Sequence, residues 1–170
     1  MASLMDDLAL VLESEVEQYK KLVALSEAMR DALVISDVSA VEQITADQES
    51  VANDLQALEG QRVRLMNDMA LALNRKPEEL KVSALEESIG HQPQLQERLR
   101  NVRMELTKTM EELKRRNQSN QALLRQSMEL LEFDLNLFRS MRQAPETANY
   151  NKSAYNTGDL LGSRGFDAKQ

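Results

Sequence analysis

The sequence predicts an all-α protein: a long antiparallel helical hairpin, a third long helix that joins it in a coiled-coil-like three-helix bundle, and a disordered C-terminal tail. Three observations predict it. Aromatic residues make up only 4% of the 170-residue chain and there are five glycines, which argues against a conventional globular core. A charged fraction of 29%, set beside abundant Leu, Ala and Met, is what helices need when one stripe is buried and the other faces meet water. Apolar residues also recur every three or four positions over three long stretches.

The first stretch carries Met5, Leu8, Leu12, Val16, Tyr19, Leu22, Leu25, Met29 and Leu33, one face of a helix over about 3–35. It should stop near "ISDVSAVE", where Asp37 or Ser39 can accept from the free N–H groups of a following helix, and Ser39 with Glu42 has capping-box spacing. A connection this short implies an antiparallel hairpin. The second stretch alternates three and four from Val41 through Ile44, Gln48, Val51, Leu55, Leu58, Arg62, Leu65 and Met69 to Ala72, a heptad seam over about 39–73. Gly60 costs about 1 kcal/mol inside such a helix, but the register is the same on both sides, so the helix runs through it. At the polar seam positions Gln48 and Arg62, heads that snorkel to water are favoured over register-fixing contacts.

Periodicity fails from Asn74 to Pro93, where Pro77, Gly90 and Pro93 punctuate the chain. Ser83 with Glu86 repeats the capping-box spacing and Gly90 suits a helix end, so a turn or two is expected over about 84–89. The third periodic stretch, over about 94–143, is the longest, near 70 Å at the helical rise. Its middle, "RRNQSNQ", is polar on every side and is read as a solvated section of helix in preference to a hinge. After Pro145 the composition turns small, polar and glycine-bearing, with Tyr150, Tyr155, Leu160, Leu161 and Phe166 as isolated apolar hooks. The organisation is therefore a helical bundle over 1–144 and a flexible tail over 145–170.

The end of the third helix has more apolar surface than one seam needs. At about 100° per residue, Leu124, Met128, Leu131, Leu135 and Phe138 form one stripe, enough to pack on the hairpin. Leu123, Leu130, Phe133, Leu137 and Met141 form a second. Either two neighbouring helices of the bundle take one stripe each, or the second stripe receives an amphipathic helix from another protein.

The run "NQALLRQSMELLEFDLNLF", preceded by two long helices and a capped "SDVSAVEQ" turn and followed by a Tyr- and Gly-bearing tail, resembles the FlgN family of flagellar export chaperones over essentially the whole chain. The resemblance implies a small cytoplasmic chaperone that binds the amphipathic terminal segments of the flagellar hook–filament junction proteins. It would keep them unassembled and deliver them to the type III export gate. Client binding then falls to the third helix, at Leu123, Leu124, Met128, Leu130, Leu131, Phe133, Leu135, Leu137, Phe138 and Met141, together with the tail. A tail tyrosine, Tyr150 or Tyr155, would dock to the export-gate membrane protein.

Other classes have little support. A net charge of −7 with no basic patch argues against nucleic acid or an anionic membrane as partner. No apolar run approaches the roughly 20 residues needed to cross a bilayer, so direct membrane insertion is not expected. With no cysteine, neither disulfides nor a thiolate metal site is expected. The single histidine, His91, heads no Glu-x-x-His pair or nucleophile–base arrangement, no phosphate-binding glycine motif is present, and no cofactor or enzyme activity is expected. The remaining rival is a structural coiled-coil protein that oligomerises through the extra stripe and has no client. Oligomeric state stays open at this level, a weak homodimer included.

Overall fold

The computed structural model describes residues 2–76, 80–89 and 92–143, and all of their regular structure is helical: α1 (Ala2–Val34), α2 (Val38–Ala72), α3 (Val82–Ser88) and α4 (Pro93–Gln143). The chain divides into two compact units, Met1–Arg125 and Gln126–Gln170. The expected tail, including Tyr150 and Tyr155, lies outside the described residues, as do Pro77, Gly90 and His91.

In the first unit, α1 and α2 end in the same way. Ser36 takes a left-handed φ of 56°, and the N–H groups of Ser36 and Asp37 return to the carbonyls of Leu33 and Ala32 at 3.2 and 2.9 Å. Asn74, at φ 53°, repeats the motif, with Asn74 and Arg75 donating to Leu71 and Ala70. These paired bonds satisfy carbonyls that a helix end would otherwise leave bare. Asn is a common residue for this conformation, while Ser carries a steric cost there. Of the two candidate caps for α2, Asp37 is the one used. Its Oδ1 accepts from Ala40 N at 3.0 Å, and Ser39 lies inside the helix.

The short turn makes α1 and α2 antiparallel, and the seam on α2 is half-buried from Val41 to Leu65 and fully buried at Met69. α4 runs parallel to α1. Its contacts advance together along both helices, from Arg98 on Glu13, through Glu105 on Lys20, to Arg116 on Glu27 and Asn120 on Ser26.

The core of this unit sits at one end. Met5, Leu8, Ala9, Leu12 and Val16 of α1 meet Met69 and Ala70 of α2, Leu85 of α3, and Leu95, Leu99 and Val102 of α4, with Leu80 and Ile89 closing the cluster. The connector is therefore part of the core and not a marginal turn. The expected capping role of Ser83 and Glu86 is not what forms α3: Lys81 occupies the N-cap position without a side-chain bond. Glu86 instead turns inward, buried, and pairs with Arg103 of α4, whose Nε and Nη2 both donate to it, while Gln96 Nε2 donates to the Glu86 carbonyl at 2.9 Å. A buried carboxylate needs such partners because burial strips its water.

Away from that end the packing turns polar. Ser26, 1% exposed, donates from Oγ to Asn117 Oδ1 at 2.6 Å and accepts at its carbonyl from Asn120 Nδ2 at 2.7 Å. The "RRNQSNQ" section is continuous helix and mostly exposed, as expected, with Asn117 and Asn120 as the contacts that dock it on α1. Arg62 does not snorkel free of the seam. Its Nε donates to the buried Glu15 at 3.0 Å, a register contact between α2 and α1. The reason is the same in both cases, since a partner with complementary polarity waits on the facing helix.

Candidate partner-binding surface

The ten residues singled out on α4 share one continuous helix, in which Leu123 and Leu124 belong to the first unit and the rest to the second. Leu123 is half-buried. The other nine are between 47% and 67% exposed. Residues of both stripes are thus exposed. Within the first unit, with Glu27 beside Arg116 and Ser26 beside Asn120, the last residue of α1, Val34, stands level with the neighbourhood of Arg125.

An exposed apolar run of this size is unusual, because isolated surface leucines are common but contiguous ones mark interaction sites. Polar side chains punctuate it at Glu129, Glu132, Asp134 and Arg139. A helix with apolar residues around most of its circumference offers itself to more than one neighbour.

The first unit has a second apolar feature, a groove of about 580 Å³ floored by Leu12, Tyr19 and Leu22 of α1 and walled by Leu55 of α2 and Leu106 and Met110 of α4. Glu15 and Arg62 lie on its margin. Burial holds the Glu15 carboxyl above the usual carboxylate range, opposed by the neighbouring Arg62 charge and reinforced by Glu59. Glu13, by contrast, is held below that range by its hydrogen bonds from Arg98, both 2.7 Å. Sequence reading missed the groove because its lining comes from three helices. It had a signal for Glu15, the charged Arg62 at a seam position.

Among the described residues no group of three or more His, Asp or Glu side chains is placed to hold a metal ion, and no helix is long and apolar enough to cross a membrane. Tyr150 and Tyr155 fall outside the described residues.

These features define a class, an all-helical protein that presents a long, solvent-exposed apolar helix end. A family model described as "FlgN protein" matches residues 1–158, and the chain belongs to the FlgN family, a family of flagellar export chaperones. Comparison with curated proteins gave no match, and neither did comparison with solved structures.

Proposed function

We propose that this protein is a cytoplasmic export chaperone that binds the amphipathic terminal helix of flagellar hook–filament junction proteins. It prevents their premature assembly and delivers them to the type III export gate. In this reading residues 1–144 form a coiled-coil-like three-helix bundle, and the run from Leu123 to Met141 within it takes the client. The tail over 145–170 docks to the export-gate membrane protein through Tyr150 or Tyr155.

The exposure of both stripes of α4 carries the reading. A client's apolar helix face would otherwise self-associate, and a partner helix can occupy it reversibly. Burying five large apolar side chains gains about 1.5 to 3 kcal/mol each, while association costs about 4 to 15 kcal/mol, so one stripe binds modestly. Contacts from the second stripe and the tail would tighten the complex, and methionines such as Met128 and Met141 adapt to different client side chains.

Calorimetry against a C-terminal peptide of a junction protein tests the assignment, using Leu130→Asp combined with Leu137→Asp and circular dichroism as the fold control. Binding should be lost with helicity nearly intact. Wild-type affinity in a folded double variant would refute the client-binding surface. A tight, concentration-independent oligomer that buries Leu130, Phe133 and Leu137 would instead show a structural coiled-coil protein.

A further inference from the structure

α1 and α4 form a small surface pocket of about 290 Å³, lined by Ser26 and Arg30 of α1 and by Arg115, Arg116, Ser119 and Asn120 of α4. Three arginines line it in a chain whose net charge is −7. No carboxylate lines it. The neighbouring surface pockets that hold basic side chains mix them with acids, Arg98 with Glu13 and Glu97 in one and Lys20 and Lys108 with Glu105 and Glu112 in another.

The donors divide into spent and free. Ser26 and Asn120 are used by the contacts that dock α4 on α1. Arg116 is held by Glu112 at 2.9 Å and, more loosely, by Glu27 at 3.7 Å. Arg30, Arg115 and the Ser119 hydroxyl have no hydrogen-bond or ion-pair partner among the described residues. Gathered like charges repel, and a bound anion relieves that repulsion. The planar fork of arginine matches the paired oxygens of a carboxylate or a phosphate group. The volume sits at the low end for small-molecule sites, enough for one anionic group with some water and too little for a nucleotide.

We propose that this pocket is an oxyanion site, in which Arg30 of α1 and Arg115 of α4 grip one carboxylate or phosphate group between them. Ser119 adds a neutral donor, and Arg116 contributes charge while its own carboxylates hold it in place. Because the two gripping residues come from different helices, the anion ties α1 to α4 beside the Ser26–Asn120 contact. The site is independent of the apolar run on α4.

The test titrates the full-length chain with inorganic phosphate at constant ionic strength, and in a second arm with an N-acetylated tetraglutamate peptide, following backbone amide shifts by NMR. Wild-type protein should show saturable shifts confined to residues near 26–30 and 115–120. Arg30→Gln with Arg115→Gln should weaken binding at least tenfold, while the charge-matched Arg64→Gln with Arg100→Gln leaves it unchanged. Circular dichroism confirms that each variant is folded. Tighter binding of the peptide than of phosphate assigns a partner's carboxylate as the natural occupant, and the reverse order assigns a free phosphate. Diffuse, unsaturable shifts in both arms, or equal losses in the two double variants, would overturn the site.

Discussion

Asn120 donates from Nδ2 to the backbone carbonyl of Ser26 at 2.7 Å, joining the fourth helix to the first through a buried polar contact where an apolar one would be expected. The Ser26 hydroxyl completes the contact by donating to Asn117 Oδ1. A buried donor and acceptor that match fix one register, because a shift along the helix would leave both unpaired. Asn120→Ala should therefore cost about 1 to 2 kcal/mol in urea unfolding, the range for losing a buried hydrogen bond. A loss below about 0.3 kcal/mol would mean that water replaces the contact without penalty.

Two glutamates two residues apart on α1 should respond to acid in opposite directions. Arg98 holds Glu13 below the usual carboxylate range, so the stability Glu13 contributes is present above that range and is lost as pH falls through its lowered pKa. Burial holds Glu15 above the range, so its contribution is present below the range and is lost as pH rises through its raised pKa. At neutral pH, Glu13→Gln should thus be less stable than the parent. Glu15→Gln should be at least as stable, since the neutral isostere can still accept from Arg62 and Arg62 keeps Glu59 at 3.5 Å. Both differences should shrink in acid. Urea midpoints at neutral and acidic pH check this, and equal signs at neutral pH would contradict it.

The buried Glu86 ties α3 to one cation among the described residues. Arg103 is its charge partner from α4, and the Arg103 side chain is 40% exposed, so water can follow it if it leaves while Glu86 stays enclosed. Arg103→Gln should cost about 1 to 3 kcal/mol and fall hardest on α3, whose Leu85 is fully buried beside the pair. Hydrogen exchange would show it as faster exchange over Val82–Ser88 than over α1. Uniform loosening of all four helices would instead mean that the pair serves the whole core.

How far the sequence spoke for itself depended on whether the signal was local. The period of apolar residues located the long helices to within a few positions because each helix carries its own pattern, and Asp37 was legible as a cap from its place before Val41. The functional run on α4 was legible as a surplus, since Leu130 and Leu137 lie off the stripe that starts at Leu124. The exposure of nine of its ten residues was not, because burial depends on tertiary neighbours that an apolar period does not name. Glu86 misled for a related reason: its spacing from Ser83 fits a cap, but a tertiary partner, Arg103, outcompetes the local use.

Two backbone positions should accept stabilising changes. A Cβ built at Gly60 meets nothing within 4 Å, and the residue lies inside α2. Gly60→Ala should therefore gain about 0.5 to 1 kcal/mol by restricting the unfolded chain. Ser36 presents the inverse case, a side chain at φ 56° where glycine is unstrained, and Ser36→Gly should gain up to about 1 kcal/mol. The sites are far apart in function and should add. Thermal melts of the single and double variants check both, and a loss at Ser36 would mean that its side chain is worth more to the turn than its strain costs.

α4 carries two kinds of leucine, buried and exposed. Leu99 is completely buried in the core at the start of α4, and Leu99→Ala should cost about 2 to 5 kcal/mol, the lost transfer energy plus that of the cavity left behind. Leu130 and Leu137 are 59% and 48% exposed, so Leu130→Gln and Leu137→Gln should each change stability by less than about 0.5 kcal/mol, since Gln is nearly as good a helix former and little burial is lost. The asymmetry should appear in urea midpoints at any protein concentration. If the two exposed leucines instead cost as much as Leu99, and the cost grew as the parent protein was concentrated, the apolar run would be the core of a self-assembled oligomer and not a surface held open for a client.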